Sequence, residues 1–270
     1  MQPEAFLTVR PSDDPRHWTL AVEPELCTGG GFLFGGCGLG ACIEALERTT
    51  DRPLIWATGQ YLSYARPPST LDIDVAIPVT GRSVTQARAT AHVGATEILT
   101  VNAALGRRDF DAEGTFVTMP DVPAPDDCPG RKPRTDLPSI HLHLEQRMAL
   151  GTAIDFDEGS FESRPMPGGR SALWVRIADM PETTAAKLGV LGDYVAFGTA
   201  QAFGQAIGGN SLDNTLRVVS LAPTDWVLLD IQFHALSHGF GHGQVLLWAG
   251  DGTLLGIASQ STISRRWRDG

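Results

Sequence analysis

The sequence predicts an α+β protein built from two similar units, each a long helix followed by an antiparallel meander of strands. Three observations predict it. When the chain of 270 residues is shifted by 156 positions against itself, residues 37–105 lie over residues 193–261 without a gap. Each copy begins with helical spacing and continues with strand-like segments. A proline-rich segment separates the copies.

The helical stretches are identified by their apolar spacing. The first has residues at the i, i+3, i+4 and i+7 positions of one helix face, namely Leu39, Cys42, Ile43 and Leu46. The second has a matching set, namely Val195, Thr199, Ala202 and Ala206. Both stretches are rich in glycine, which costs a helix about 0.5–1 kcal/mol relative to alanine. We therefore expect another backbone or a ligand to approach these helices closely.

The segments after each helix predict strands. LDIDVAI at 71–77 lies over VLLDIQF at 227–233, and the turn at Arg82 lies over a turn at His238. No second long helix follows in either copy, so the pattern is not βαβ. The motif GGCGLGA at 35–41 fits a relaxed dinucleotide fingerprint, but that fingerprint needs a parallel βαβ unit. A nucleotide-binding fold is therefore disfavoured.

The boundary between the copies lies in the segment from Met119 to Pro138, which holds six prolines. Such a segment cannot be an inner strand or a helix interior. The predicted organisation is an N-terminal unit at 1–115, a proline-rich linker at 116–168 and a C-terminal unit at 169–270.

Composition limits the function classes. The 21 basic and 31 acidic residues give a net charge of −10, which disfavours a broad nucleic-acid surface. The chain has neither a secretory start nor a run of 18 apolar residues, so no membrane partner is expected. The four cysteines form no C-x-x-C pair, which favours buried thiols in a cytoplasmic protein.

A candidate site comes from three polar residues of the second copy, Asp193, Ser211 and Gln260. Asp193 opens a helix and Ser211 opens a strand, where an N-cap and a local backbone contact are the ordinary alternatives. Gln260 lies in an apolar strand, where its amide must find partners. Their counterparts in the first copy carry no comparable polar group, namely Cys37, Ile55 and Ala104. This asymmetry indicates a single site kept in a duplicated scaffold.

The histidines at 234, 238 and 242 are the other candidate cluster. They share one strand face if the segment is extended, but no carboxylate or cysteine completes a ligand set. No metal site is therefore predicted.

Several segments together resemble the acyl-CoA thioesterase II (TesB-like) family. The matching segments of the first half are FGGCGLGACIEAL, YLSYARPPSTLDIDV and the turn GRS. Those of the second half are ALWVRIAD, LGDYVAFG, SLDNTL and LLGIASQSTISRR. Their order and spacing cover nearly the whole chain except the linker. The family's fold is two tandem hotdog units, each a long helix wrapped by an antiparallel β-sheet, so the resemblance implies a double hotdog.

The resemblance also implies hydrolysis of acyl-CoA, without a cofactor, by an Asp, a hydroxyl residue and a Gln in the second unit. By position these are Asp193, Ser211 and Gln260. The chain departs from the family pattern at several places, with Ser211 for the usual Thr, Asn214-Thr215 for His-Ser, and Gln60-Tyr61 for Phe-His. These departures bear on substrate preference more than on reaction type.

Substrate contacts are expected at two kinds of position. The backbone N–H groups of Gly35 and Gly36, at a helix start, are the candidates for the thioester oxygen. Arg66 and Arg82, at turns, are the candidates for the CoA phosphates.

Two other functions stay open at this point. A hotdog enoyl-CoA hydratase would have a His five residues after the Asp, but Gly198 stands there. A non-catalytic acyl-CoA or lipid-binding hotdog protein is the alternative from another class. The sequence leaves the formation of a homo-oligomer open.

Overall fold

The computed structural model describes residues 6–131, 138–153 and 163–266. These residues form one antiparallel sheet in the order β1-β2-β4-β5-β6-β3-β9-β12-β11-β10-β8-β7. The strands are β1 Val9–Pro11, β2 His17–Val22, β3 Leu54–Tyr61, β4 Ser69–Thr80, β5 Val84–Val93, β6 Thr96–Gly106, β7 Leu144–Leu150, β8 Arg170–Ile177, β9 Ile207–Val218, β10 Val227–Ser237, β11 Phe240–Ala249 and β12 Leu254–Arg266. The α-helices are α1 Gly35–Thr50, α2 Ala185–Leu191 and α3 Val195–Phe203.

The strand order keeps the two halves of the chain apart within the sheet. Strands β1 to β6 fill one side and β7 to β12 fill the other. They meet where β3 pairs antiparallel with β9, from Trp56 opposite Arg217 to Gln60 opposite Asp213. The internal repeat of the sequence maps β5 onto β11 residue for residue. The parallel sheet of a nucleotide-binding fold is absent, because every strand pair among the described residues is antiparallel.

Alternating side chains explain why these segments form a sheet with one covered face. In β4, Leu71, Ile73 and Val75 are buried against the helices. The residues between them point the other way, and Asp74 receives hydrogen bonds at 2.9 Å from the rings of His17 and His92. A period of two places every second residue on the helix-covered face.

The prediction of one long helix in the second half is wrong. Gly192 closes α2, donating its backbone N–H to the Leu188 carbonyl, and Asp193 and Tyr194 form a turn before α3 begins. The helix then ends at Phe203, short of Ala206, because Gly204 adopts a left-handed conformation with φ of 62°. The break matters for the site, since it places Asp193 in a turn.

The glycines of α1 serve a backbone contact with α2. A Cβ on Gly36 would lie 2.6 Å from the Val190 carbonyl oxygen, and one on Gly40 would lie 2.9 Å from the Ala186 carbonyl oxygen. The expected close approach of another backbone is therefore present between the halves. Gly198 of α3 differs, because its neighbour is the Ile231 side chain of β10.

The segment between the halves contributes to the sheet. Strand β7 lies within 116–168 and forms the last strand, beside β8. Before it, the Pro123 carbonyl accepts a hydrogen bond from the Trp174 indole at 2.9 Å. Cys128 packs with Trp174 and Trp248.

All four cysteines are buried free thiols. None of the described helices is long and apolar enough to cross a membrane.

Candidate active site

Three predicted site residues meet around one carboxylate. Ser211 Oγ donates to Asp193 Oδ1 at 2.8 Å, and Gln260 Nε2 donates to the same oxygen. Gln260 Nε2 also donates to Ser211 Oγ at 2.9 Å. Asp193 and Gln260 are 7% and 3% exposed. The structure therefore brings Asp193, Ser211 and Gln260, which are distant in sequence, into one buried network.

The pairing of β9 with β12 sets this geometry. Gln260 lies opposite Asn214, and the register then shifts between Ser261 and Thr262 so that Thr262 lies opposite Ser211. The irregularity adds one residue to β9 and keeps Ser211 on the helix-covered face with Gln260. Asp193 reaches that face from the turn between α2 and α3.

Asp193 also connects the two halves of the chain. Its Oδ2 accepts a hydrogen bond at 2.6 Å from the backbone N–H of Gly36, in the first turn of α1. The alternative of an N-cap for its own helix is wrong, because Tyr194 holds that position in α3 without a side-chain bond. The first N–H of α3, from Val195, instead donates to Gln260 Oε1 at 2.9 Å. A backbone N–H from the first turn of α1 and one from the first turn of α3 therefore both donate to side chains of this network.

Gly35 allows the close approach at the start of α1. A Cβ there would lie 2.7 Å from Asp193 Oδ2 and 3.0 Å from Cζ of Tyr61. Any side chain at this position would force the carboxylate or the phenol to move. Gly35 and Gly36 thus lie beside the network, and the Gly36 N–H, a predicted contact for the thioester oxygen, is instead bound to Asp193.

The buried charge changes the titration of the site. Burial raises the pKa of Asp193, and hydrogen bonds from Ser211, Gln260 and Gly36 partly oppose that rise. Burial, with a smaller contribution from the charge of Asp193, raises the pKa of the Cys37 thiol and of the Tyr61 phenol well above their ordinary values. The thiol and the phenol therefore stay protonated at neutral pH, and the carboxylate is the group able to accept a proton.

Two further polar residues face the network and were not selected from the sequence. The Tyr61 hydroxyl is buried, and so are both polar atoms of the Asn214 amide. The sequence carried a signal for them, because both stand where the chain departs from the TesB-like pattern. From the sequence, those departures bear on substrate preference more than on reaction type.

The two predicted arginines lie outside the network. Arg66 donates at 3.1 Å to the Gly31 carbonyl in the loop that leads to α1. Arg82 lies in the turn before β5, and this turn adjoins the start of β3 through Gly106, whose N–H donates to Pro53. Tyr61 and the network lie at the other end of β3, about 20 Å away at roughly 3.3 Å per residue. The structure therefore does not bring Arg82 to the three side chains.

His238 and His242, from the predicted histidine cluster, lie away from the Asp193 network. A cavity of about 830 Å³ lies on the opposite face of the central strands, lined among others by Gln60, Asp213, His238 and His242. Its residues alternate with those of the network, so the sheet separates the two. Within the described residues, no group of three or more His, Cys, Asp or Glu side chains is arranged to hold a metal ion.

Comparisons with known proteins agree with this architecture. Family models for the N-terminal and C-terminal domains of acyl-CoA thioesterases match residues 22–106 and 125–264. No curated protein matches the chain. A candidate thioesterase from Novosphingobium aromaticivorans has a TM-score of 0.82 at 28% identity, covering 94% of this chain and 97% of that one.

Two more distant structures show the fold. A protein of unknown function with a hotdog fold from Alicyclobacillus acidocaldarius has a TM-score of 0.83 at 20% identity, covering 98% of each chain. The acyl-CoA thioesterase II TesB2 of Mycobacterium marinum has a TM-score of 0.75 at 18% identity, also covering 98% of each chain. The chain has a hotdog fold and belongs to the TesB-like family of acyl-CoA thioesterases.

Proposed function

We propose that this protein hydrolyses acyl-CoA thioesters to free fatty acid and CoA. We also propose that its halves are two tandem hotdog units that share one active site. The observation that carries the proposal is the buried Asp193 carboxylate, bound by Ser211 and Gln260 of one half and by Gly36 of the other. A buried carboxylate with a raised pKa is suited to accept a proton in catalysis.

In the proposed reaction, a water oxygen attacks the thioester carbonyl carbon while Asp193 takes a proton from that water. Ser211 and Gln260 orient the carboxylate and that water through their hydrogen bonds. The C–O bond forms, the carbonyl π electrons move to oxygen, and the tetrahedral intermediate then breaks its C–S bond. The CoA sulfur leaves with the bonding electron pair and takes up the proton, so that fatty acid and free CoA result.

Substrate binding is proposed at the start of α1. The positive end of the helix beside Gly35 and Gly36 favours a developing negative charge there, although the Gly36 N–H itself is bound to Asp193. Arg66, which lies between β3 and β4 and donates to a carbonyl of the loop before α1, is proposed to meet a CoA phosphate. Arg82, in the turn before β5, is proposed as a second contact for the CoA phosphates, which the pantetheine arm holds away from the thioester. We place the reaction in the cytoplasm.

The alternatives are separated by chemistry. A hydratase needs a second acid–base group near the Asp, but Gly198 packs against Ile231. A non-catalytic acyl-CoA-binding protein would keep the fold and bind ligand without turnover.

A panel of acyl-CoAs of increasing chain length, assayed with a thiol reagent, tests the proposal. We expect many equivalents of free CoA per protein. Asp193→Asn should lower kcat by about 10²–10⁴-fold, since Asn keeps the shape but does not accept a proton. Stoichiometric binding without CoA release would support the non-catalytic binding protein. Near-full activity of Asp193→Asn would show that the catalytic site does not include Asp193.

A further inference from the structure

The Tyr61 hydroxyl and the Asn214 amide form a second polar group beside the Asp193 network. Tyr61 ends β3, and its ring packs over Gly35, the residue that also adjoins Asp193 Oδ2. Asn214 lies on β9 between Gly59 of β3 and Gln260 of β12 in the sheet register. Asn214 is fully buried.

These polar atoms have unused hydrogen-bonding capacity. The Asn214 amide lies close enough to the phenol to lower the Tyr61 pKa against the stronger effect of burial. The two side chains nevertheless do not align as a hydrogen bond, and the Tyr61 hydroxyl and both polar atoms of Asn214 lack a partner among the described residues. A buried polar group without a partner destabilises the fold, because it loses its hydrogen bonds to water and gains none in return. An apolar pair would fill this space at lower cost, so their presence indicates a ligand.

The neighbouring hydrogen bonds limit what that ligand group can be. Gly36 N–H, the obvious donor at the helix start, is already bound to Asp193. A substrate carbonyl therefore needs other donors. The phenol is held in its protonated form, because burial raises its pKa. The Asn214 amide supplies a second N–H donor on the same face.

We propose that Tyr61 Oη and Asn214 Nδ2 donate hydrogen bonds to the thioester carbonyl oxygen of the bound acyl-CoA. This inference rests on the proposed function and assigns the oxyanion side of the same site. A Cβ on Gly35 would lie 2.7 Å from Asp193 Oδ2 and 3.0 Å from Tyr61 Cζ, so the base and the phenol ring both adjoin that residue. The attacking water and the carbonyl oxygen would then face different groups, as the reaction requires.

The test uses an acyl-CoA analogue in which CH2 replaces the thioester sulfur and the carbonyl carries ¹³C. The analogue is not hydrolysed, so the infrared band of its carbonyl reports hydrogen bonding independently of turnover. We expect the band to move to lower frequency on binding to the wild type. Tyr61→Phe and Asn214→Leu should each move it part of the way back. Tyr64→Phe, the same change at an exposed tyrosine, should not.

Steady-state kinetics supply the second measurement. Loss of one oxyanion donor costs about 10²–10³-fold in kcat in other enzymes, and we expect a decrease of roughly that order with KM nearly unchanged. Circular dichroism and thermal melting should show folded variants, because the hydroxyl removed from Tyr61 has no partner to lose.

The outcomes separate this inference from the proposed function. Turnover by the wild type with an identical carbonyl band in wild type and both variants would overturn the inference and leave the thioesterase in place. A band shift that depends on both residues, in a protein without turnover, would support the carbonyl site and reject the enzyme. Failure of the wild type to bind the analogue would overturn the inference.

Discussion

At the scale of single residues, the pKa of Asp193 is set by two opposing effects of its surroundings. Burial opposes its charge, whereas Ser211, Gln260 and the Gly36 N–H stabilise that charge. The result is a carboxylate whose pKa is raised although three donors surround it. Ser211 and Gln260 also bind each other, so neither acts on Asp193 alone.

We therefore expect the effects of Ser211→Ala and Gln260→Ala on kcat/KM to be strongly non-additive. Each single change should lower activity less than Asp193→Asn does, and the double variant should lose less than the product of the two. The physical reason is that both side chains hold the same oxygen of Asp193. A double-mutant cycle of kcat/KM measures this, and independent effects would contradict a shared network.

The pH dependence of stability should carry the signature of Asp193. Because its folded pKa lies above the ordinary value of 3.8, the folded protein binds this proton more tightly than the unfolded chain does. Its favourable contribution is present below the unfolded pKa and is lost as pH rises through the folded pKa.

Asp193→Asn removes this titration. As the pH rises from about 4 through the raised pKa of Asp193, we expect the melting temperature of the variant to increase relative to that of the wild type. Thermal melts at a series of pH values measure the difference. Parallel curves for the two proteins would show that the carboxylate is not destabilised by burial.

At the scale of elements, much could be predicted from spacing alone. The alternation of Leu71, Ile73 and Val75 with polar residues indicates a half-buried strand, and the structure has one there. The sequence predicts a helix that opens at Asp193, and α3 begins close by at Val195, but the short α2 ahead of it is not predicted. The turn from Gly192 to Tyr194 that separates the two helices is fixed by contacts from β12 and α1, which are distant in sequence.

The set of side chains that meet at the site could likewise be predicted only in part from the sequence. Asp193, Ser211 and Gln260 were selected from the sequence because the other copy lacks polar counterparts. Tyr61 and Asn214 were not, since their significance depends on which side chains surround them in the folded sheet. Arg82 was selected for its charge, and only the strand register shows that its turn lies at the far end of β3.

The backbone contact between α1 and α2 gives a prediction for stability. A methyl group on Gly40 would lie 2.9 Å from the Ala186 carbonyl oxygen, so Gly40→Ala should push the helices apart. Overpacking of this kind costs about 1–3 kcal/mol, which exceeds the gain in helix propensity of about 1 kcal/mol. Urea unfolding measures the change.

Gly29→Ala is the matched control for that variant. A Cβ at Gly29 meets nothing within 4 Å, so the same substitution should leave the free energy of unfolding nearly unchanged. Equal stability of the two variants would show that the helices can separate without cost.

At the scale of the whole molecule, one sheet unites two similar halves that have become chemically unequal. The repeat counterparts of Asp193, Ser211 and Gln260 are Cys37, Ile55 and Ala104, and none of them can take over the role of the carboxylate network. Ile55 lies partly exposed at 36%, and Cys37 is fully buried.

The chain should therefore bind one substrate molecule, although its architecture offers two related positions. Isothermal titration with the CH2-substituted acyl-CoA analogue should give one equivalent per chain, with loss of that binding when the Asp193 network is disrupted. A value of two would show that the first copy retains a working pocket.

The hydrogen bond from Gly36 to Asp193 has a consequence for the order in which the molecule assembles. Its partners are 157 residues apart, whereas the hairpins β4–β5 and β10–β11 join neighbours along the chain. Contacts between near neighbours close at a small entropic cost and form early, while distant ones wait until both halves have docked. During refolding from denaturant, far-ultraviolet circular dichroism should recover first, and the capacity to release CoA should return in a later and slower phase.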